Sequence, residues 1–293
     1  MICLRAKPLI EKTQEYLVKL RRSLNQAPRL DVLLIGNHEA SAIYVGRKKQ
    51  AAQDIGIDVV IHHISDHASQ DHVEKLISML NNESNCSGIL LQLPLPAHFN
   101  VMKLLTLIDP AKDVDGFHPL NKGNHLDNFA AFVPCTALGV SRLLKFYNIN
   151  LQSKNVLVLG RSAIVGKPLA IESLHQNATV TIAHSATKNL PDLVKQADII
   201  MSATGHFGVI QWDQVYEHQI IIDVGIHRHN GDIVGDLGKK PAEKIVAAYT
   251  PVPGGVGAMT VNSLMYNIFK AYCLQKQSGC WADIAQSIDA LTL

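Results

Sequence analysis

The sequence predicts an α/β protein of two domains, each built around a parallel sheet, with the active-site cleft between them. Short β-branched runs alternate with helical stretches over nearly the whole length of 293 residues. Runs such as VLVL at 156–159 and IIID at 220–223 are almost entirely apolar, which is typical of strands buried on both faces. The length is sufficient for two domains of ordinary size, or for one large α/β unit.

The order of the elements suggests where the domains divide. Strands are predicted at Leu30–Ile35, Ile57–Ile64, Ser87–Leu93, Asn155–Leu159, Ala178–Ala183, Ala197–Ser202 and Gln219–Val224. Asp109–Thr136 is rich in Pro, Gly, Asn and Asp, so we interpret it as an irregular crossing, followed by helices at Ala137–Tyr147 and Met259 to about Gln275. We therefore predict one domain from 1–135 plus 260–293 and a second from 136–259.

Composition excludes several classes of protein. The formal charge of +2 offers no concentrated basic face, so neither nucleic acid nor an acidic membrane is an expected partner. No apolar run approaches the roughly 18 residues of a membrane span. The five cysteines have no CxxC spacing, which argues against a zinc ribbon or a redox motif. We expect a cytoplasmic protein.

One histidine-rich stretch raises the question of a metal. IHHISDHASQDH places His62, His63, His67 and His72 close together in sequence, but no zinc-ligand spacing is evident. A solvated loop is the favoured interpretation, and His227 with His229 is interpreted in the same way. No metal is predicted.

The segment NVLVLGRSAIVGKPLA has the order of a phosphate-binding turn. A buried strand ends at Gly160, a short loop follows, and Gly166 opens a helix. Glycine allows close approach of a pyrophosphate, and the helix N-terminus offers free N–H groups. The G-x-x-x-x-x-G spacing differs from GxGxxG, so a plain strand-to-helix turn remains the alternative.

The residues around this turn favour NADP over NAD. Enzymes that use NAD usually place an acid after the second strand, to bind the ribose 2′-hydroxyl. Here that strand ends in His184-Ser185-Ala186-Thr187, whereas Arg161 and Ser162 stand in the first loop. A guanidinium and hydroxyls suit a 2′-phosphate, although each could be an ordinary loop residue.

Three further loops follow predicted strands in this half. They are SATG at 202–205, DVG at 223–225 and TPVPGGVG at 250–257. Loops at the carboxyl ends of parallel strands form the ligand crevice of open α/β sheets. The glycines of PGGVG permit close approach of a flat ring, with a hinge or tight turn as the alternative.

In the first half, four residues are candidates for chemistry. Tyr44 and Lys48 share one face of a helix predicted to begin near Ser41, its N-cap. Gln92 ends the apolar strand of GILLQLPLP, and KDVDG supplies Asp115. Each has an ordinary explanation: a tyrosine packed on a lysine stem, a strand-end amide, and an Asx-turn.

Together these blocks resemble the bifunctional methylenetetrahydrofolate dehydrogenase/methenyltetrahydrofolate cyclohydrolase family. SAIYVGRKKQAA, GILLQLPLP, KDVDGF, VPCTALG, GRSAIVGKPLA, ATVTIAHSATKNL, ADIIMSATG, DVGI and TPVPGGVGAMT occur in family order over roughly 33–265. Ala137 and Ala258 stand where the family usually has proline, which affects loop rigidity more than chemistry.

The resemblance implies a role for each candidate. Lys48 matches the catalytic lysine, Tyr44 the folate-stacking tyrosine, Gln92 the amide beside the lysine, and Asp115 the pterin-binding acid. The NADP-contacting positions are Gly160, Arg161, Ser162, Ser185 and Ile226. The segment lining the nicotinamide and folate is Pro253, Gly254, Gly255 and Val256. The domains become a folate-binding catalytic domain and a Rossmann-like NADP-binding domain.

The implied activity has two steps. NADP⁺ oxidises 5,10-methylenetetrahydrofolate to the methenyl form, and water opens that product to 10-formyltetrahydrofolate, a one-carbon donor for purine biosynthesis. A lysine serves the second step only if it is partly neutral near pH 7, and Gln92 can bind the amine without adding negative charge. The resemblance also implies a homodimer joined through the nucleotide domains. A dehydrogenase alone and a non-catalytic dinucleotide sensor are the competing interpretations.

Overall fold

The computed structural model describes residues 1–276 as two compact units. One unit contains Met1–Glu11 and Thr136–Thr260, and the other contains Lys12–Cys135 and residues 261–276. No helix in the described part of the chain combines the length and the apolar character needed to cross a membrane. Residues 277–293 of the predicted first domain lie outside the described residues.

The catalytic unit, as we call the one that contains Lys12–Cys135, is built on a three-stranded parallel sheet. Its strands are β2 (Arg29–Ile35), β3 (Asp58–Ile64) and β4 (Gly88–Leu91), in the order β3-β2-β4. Its helices are α1 (Lys7–Ser23, entering from the other unit), α2 (Glu39–Asp54), α3 (Gln70–Asn82), α4 (Val101–Leu107) and α5 (Pro119–Leu126). An apolar core that includes Leu33, Ile77 and Leu91 lies against the sheet. The parallel pairing makes β2 and β4 end at the same edge.

The nucleotide unit, which contains Thr136–Thr260, is built on a six-stranded parallel sheet. The order is β1-β11-β8-β7-β5-β6, and every pairing is parallel. Its strands are β1 (Ile2–Cys3), β5 (Asn155–Leu159), β6 (Thr179–Ala183), β7 (Ile199–Ser202), β8 (Ile220–Asp223) and β11 (Ala248–Tyr249). Its remaining elements are α6 (Cys135–Phe146), α7 (Gly166–His175), α8 (Leu190–Gln196), a 3-10 turn at Trp212–Gln214, the hairpin β9 (His227–His229) with β10 (Asp232–Val234), and the beginning of α9 (Val256–Gln275), most of which belongs to the catalytic unit.

The N-terminus differs from the predicted domain division. The first eleven residues belong to the nucleotide unit, because β1 pairs with β11 through Ile2 and Ala248 and extends that sheet. The amide of Ala6 also donates to the carbonyl of Gly254 at 2.9 Å. A two-residue strand at a sheet edge has no alternating pattern, so the sequence carries no signal for it.

Two local predictions are wrong. The segment Asp109–Thr136 is not wholly irregular, since α5 forms within it, with His118 as N-cap and Pro119 in the first turn. Likewise Ser41 is not an N-cap: α2 begins at Glu39, and the imidazole Nδ1 of His38 accepts from the Ser41 amide at 3.4 Å. Imidazole is a less common capping group than hydroxyl or carboxylate, which is why sequence patterns favour serine here.

Candidate active site

Lys48 and Gln92 contact each other directly in the catalytic unit. Lys48 lies on α2, with only 9% of its surface exposed, and its Nζ donates to the Gln92 Oε1 at 3.1 Å. Gln92 follows β4 immediately, and its backbone N–H donates to the carbonyl of Leu33 on the neighbouring strand. The pair therefore joins the middle of α2 to the carboxyl edge of the sheet.

The Gln92 side chain is held in one orientation. Its Nε2 donates to the carbonyl of Leu93 at 2.7 Å, so its oxygen is directed toward Lys48. A neutral amide oxygen accepts a hydrogen bond from an ammonium or an amine without bringing a formal charge. The arrangement fixes the lysine nitrogen in place without putting a negative charge beside it.

Tyr44 lies one helical turn before Lys48, on the same face of α2. The ring is partly buried, and burial raises the pKa of its hydroxyl, while nearby Arg47 opposes the shift. The phenol is thus neutral at physiological pH and offers a flat apolar surface with a polar tip.

The carboxylates of KDVDG have different surroundings. Asp113 is buried, and it accepts hydrogen bonds from the amides of Phe117 and His118 and from Asn121 Nδ2. Burial raises the pKa of Asp113, and the hydrogen bonds to its carboxylate oppose that shift.

Lys112, the neighbour of Asp113, donates to three carbonyls at the end of α3, those of Leu80, Asn81 and Glu83. Both residues hold the backbone, so Asp115 is the carboxylate of this motif that remains available for binding.

Asp115 is partly exposed and lies beside a buried thiol. The carbonyl of Asp115 accepts from the amide of Cys135, and the thiol of Cys135 donates to the carbonyl of Val114, the residue before Asp115, at 3.3 Å. Burial raises the pKa of the Cys135 thiol well above its usual value; Asp115 raises it further and Lys48 opposes it. Lys48 and Asp115 therefore both influence this thiol, and we refer to the three residues together as one cluster.

A buried amide supports this cluster from α9. Asn267 Nδ2 donates to the carbonyl of Val114 at 2.8 Å and to that of Val133 at 3.3 Å, and it contacts the Cys135 sulfur at 3.6 Å. It therefore ties the segment that carries Asp115 to the segment that carries Cys135. Sequence reasoning did not identify Asn267 or Cys135 as site residues, because neither stands in a pattern with a chemical meaning of its own.

In the nucleotide unit, the loop after β5 has the conformation of a phosphate-binding turn. Gly160 adopts φ +111°, and a side chain there would overlap the carbonyl of Ala203. Ser162 Oγ accepts from the amides of Val165 and Gly166, both at 3.2 Å, so it caps the start of α7. The serine predicted to bind the ligand thus also holds the loop.

A cavity of about 370 Å³ opens at the carboxyl ends of these strands. Its lining includes Gly160, Arg161, His184, Ser185 and Thr204. This volume is in the range of small-molecule sites. Three of the predicted cofactor residues therefore line one cavity.

His184 makes this cavity suitable for an anion. Its Nδ1 accepts from the amide of Ala186 at 3.2 Å, so a neutral ring carries its hydrogen on Nε2. That Nε2 lies 3.4 Å from Arg161 Nη1, which is also a donor. Two donors cannot satisfy each other, whereas an anionic oxygen can accept from both. His184 is a site residue that the sequence analysis did not select.

The other predicted contact residues of this unit lie on two loops. Ile226 follows β8 and is 40% exposed. Pro253 and Gly254 are exposed, whereas Gly255 and Val256 are buried where α9 begins. The four-residue segment is held to the N-terminus by the bond from Ala6 to Gly254 described above.

The histidines of 61–72 do not assemble a metal site among the described residues. His62 instead places its Nε2 2.8 Å from the buried carboxylate of Asp31, which also binds Arg29. His67 and His72 are exposed. A cationic guanidinium beside Asp31 disfavours a metal ion at that point.

The fold and the cavity define an α/β protein with a dinucleotide-binding domain. A model of the tetrahydrofolate dehydrogenase/cyclohydrolase catalytic domain matches residues 4–115, and one of the NAD(P)-binding domain of the same proteins matches residues 134–276. The chain belongs to the tetrahydrofolate dehydrogenase/cyclohydrolase family.

Individual relatives cover nearly the whole chain. The bifunctional protein FolD of Nitratiruptor sp. is 44% identical, covering 95% of this chain and all of its own. The crystal structure of the bifunctional enzyme from Campylobacter jejuni is 40% identical with TM-score 0.89, covering 93% of this chain and 98% of its own. The Trypanosoma brucei enzyme, complexed with NADP cofactor and inhibitor, is 32% identical with TM-score 0.89, covering 95% and 99%.

Proposed function

We propose that this chain oxidises 5,10-methylenetetrahydrofolate with NADP⁺ and hydrolyses the methenyl product to 10-formyltetrahydrofolate. The observation that carries the proposal is the contact between Lys48 Nζ and Gln92 Oε1, in the unit that matches the family's catalytic domain. The family models cover both the catalytic and the nucleotide-binding halves. The product is a one-carbon donor of the kind that purine biosynthesis consumes.

NADP is the cofactor, and the residues at the cavity fit it. The donors of Arg161 and His184 converge, Ser185 is exposed beside them, and Gly160 leaves the backbone accessible. We assign the 2′-phosphate to Arg161, His184 and Ser185, and the pyrophosphate to the loop of Gly160 and Ser162. When bound, NADP⁺ supplies a nicotinamide ring that accepts a hydride from the one-carbon bridge. Ile226 and Pro253 to Val256 are proposed to line that ring.

In the catalytic unit, we assign Tyr44 to stacking on the pterin and Asp115 to its amino and ring N–H donors. A neutral phenol ring suits stacking on a flat heterocycle, and a carboxylate accepts two N–H donors at once. These contacts hold the one-carbon bridge in a fixed place, which is the protein's contribution to hydride transfer.

Lys48 is proposed to move the proton in the hydrolytic step. As the oxygen of water forms a bond to the methenyl carbon, the lysine nitrogen takes the proton that water releases. The same proton then passes to the ring nitrogen as its bond to that carbon breaks. The hydroxyl left on the carbon releases its own proton to solvent as the C=O bond of the formyl group forms. Gln92 holds the lysine nitrogen throughout without adding charge.

A single assay separates this function from its two alternatives. Purified chain is given methylenetetrahydrofolate with NADP⁺ or NAD⁺, and NADPH and formyl product are both followed. We expect NADPH and then 10-formyltetrahydrofolate, with NADP⁺ preferred. NADPH without accelerated formyl formation would indicate a dehydrogenase alone. Tight NADP binding with no turnover of any reduced folate would indicate a sensor.

We also propose a cytoplasmic homodimer joined through the nucleotide unit. β6 is the edge strand of its sheet, and Thr179, Thr181 and Ile182 on it are exposed. An open strand edge readily pairs with a second copy. Sedimentation should give twice the chain mass, and Thr181→Pro should give the monomer; a monomeric wild type would contradict the dimer.

The cytoplasmic location is supported by the free thiols of four cysteines, as is usual in a reducing compartment: Cys3, Cys86, Cys135 and Cys273.

A further inference from the structure

A buried carboxylate lies behind one wall of the nucleotide cavity. Asp236 is 1% exposed, and its Oδ2 accepts three hydrogen bonds, each 2.9 Å long, from Ser202 Oγ, the Thr204 amide and Thr204 Oγ1. Thr204 lines the cavity, whereas Ser202 is completely buried. The position of the wall therefore depends on this one oxygen atom.

The other oxygen of Asp236 binds a histidine on the hairpin. His227 Nε2 lies 2.8 Å from Asp236 Oδ1, and the imidazole is about one fifth exposed. An imidazole that carries a hydrogen on Nε2 donates it to this carboxylate oxygen. His227 thereby supplies a hydrogen-bond donor to a buried anionic oxygen.

Asp236 cannot adjust easily if that partner is lost. Its own amide donates to Asp223 Oδ1 at 2.8 Å, and the amide of Leu237 donates to Asp223 Oδ2 at 3.0 Å. A side chain at Gly225 would overlap the Asp236 carboxylate, which shows how closely the backbone encloses it. The backbone at 236 is therefore fixed by Asp223, and only the carboxylate can rotate.

The hairpin also contacts the cavity loop through aromatic rings. Phe207 stacks on His229, with ring centroids 4.5 Å apart and 18° between the planes. It meets His227 edge-on at 6.1 Å. The neighbouring residues His206 and Val209 line the cavity. The hairpin thus supports the wall at two points, one polar and one aromatic.

We propose that His227 is a positioning residue for the dinucleotide, acting through Asp236 on Thr204 and the loop that follows. This inference rests on the proposed NADP site. Without the imidazole, Asp236 Oδ1 is a buried oxygen with an unmade hydrogen bond, and rotation of the carboxylate to reach other donors takes Oδ2 away from Thr204. The wall then loses the position that the cofactor requires, although His227 itself does not line the cavity.

The test compares His227→Phe with His227→Gln in the full chain. Phenylalanine keeps a ring beside Phe207 but removes the donor, whereas glutamine can place an amide N–H near the position of Nε2. We expect His227→Phe to weaken NADP⁺ binding about tenfold by titration calorimetry and to raise KM for NADP⁺ in proportion. At saturating NADP⁺, kcat should stay within about twofold, and His227→Gln should restore most of the affinity.

Ser202→Ala provides a double-mutant cycle. Ser202 also binds Asp236 Oδ2 but does not line the cavity, so it reports on the carboxylate alone. If His227 acts through Asp236, the two substitutions should be clearly non-additive in NADP⁺ affinity. His229→Leu is the matched control, because His229 stacks on Phe207 without bonding Asp236; its affinity loss should be the smaller one.

The outcomes distinguish this inference from the proposed function. A wild-type chain that does not bind NADP⁺ would overturn the proposed function. A wild type that binds, with His227→Phe folded and binding equally well, would overturn the inference alone. The inference would also fail if His227→Gln were as impaired as His227→Phe, or if the cycle were additive. Thermal unfolding of each variant ensures that folded protein is being compared.

Discussion

Lys48 and its neighbour Lys49 differ in surroundings more than in chemistry. Lys48 is buried against Gln92, whereas Lys49 is exposed on the same helix. The sequence predicted Lys48 only through a motif, because nothing in the spacing of a helix separates a buried amine from a solvated one. The contact that distinguishes them joins residues 44 positions apart, so it exists only in the folded chain.

Replacing Lys48 tests the proposed proton transfer. Lys48→Met keeps the length of the side chain and removes the nitrogen, so we expect cyclohydrolase turnover to fall by at least about a hundredfold. Formation of 10-formyltetrahydrofolate from the methenyl substrate measures this directly. Lys49→Met, the control, should retain near wild-type turnover. Unchanged turnover in Lys48→Met would contradict the assigned role.

Arg161 and His184 bear on cofactor choice. If both bind the 2′-phosphate, Arg161→Ala should raise KM for NADP⁺ by roughly ten- to a hundredfold and leave KM for NAD⁺ within a few-fold, since only NADP⁺ carries that phosphate. His184→Leu should act in the same direction, less strongly. Equal losses for both cofactors would indicate a structural role. His184 escaped prediction because its donor geometry depends on the Ala186 amide.

At the scale of elements, apolar runs predict the central strands well, whereas short exposed strands are not predicted. The predicted 155–159 strand coincides with β5, since four successive apolar residues, Val156 to Leu159, are buried on both faces of the sheet. The hairpin was not predicted: HRH and DIV are short and largely exposed. Asn230-Gly231 between them is a strong two-residue turn signal that could have revealed it.

The loop after β5 allows a matched glycine comparison. Gly160→Ala forces a side chain into a left-handed conformation against the Ala203 carbonyl, so we expect a loss of roughly 2 kcal/mol or more in the free energy of unfolding, with NADP⁺ binding abolished. Gly123→Ala in α5 meets open space in a helix, and it should be neutral or stabilise by up to about 1 kcal/mol. Urea unfolding measures both, and equal effects would contradict the proposed strain.

At the scale of the whole molecule, stability should depend on pH through Asp223. Burial raises the pKa of this carboxyl from 3.8 to about 6, with the charge of Asp236 adding to the effect and the backbone amides opposing it. Between these values the folded state holds a proton that the unfolded state has released. The contribution of Asp223 is therefore fully present below about pH 4 and is lost as pH rises to about 6, by roughly 3 kcal/mol.

Asp223→Asn removes the titrating group and isolates this contribution. The free energy of unfolding of the wild type, minus that of the variant, should fall by roughly 3 kcal/mol between pH 4 and pH 7, measured by urea unfolding. Taking the difference cancels carboxyl groups that do not interact with Asp223, such as Asp113. A difference that is flat, or that rises with pH, would show that the carboxyl is not held protonated by burial.

The discontinuous units have a consequence for recombination between relatives. β1 belongs to the nucleotide unit, and Asn267 on α9 holds Val114 and Val133 of the catalytic unit. A single genetic crossover at the 135/136 boundary would therefore make both units chimaeric, with the edge strand of one parent on the sheet of the other. Exchange of intact units requires three crossovers, near 11/12, 135/136 and 260/261. Because the chain passes between the two units several times, we expect relatives to inherit both units together rather than to exchange one of them.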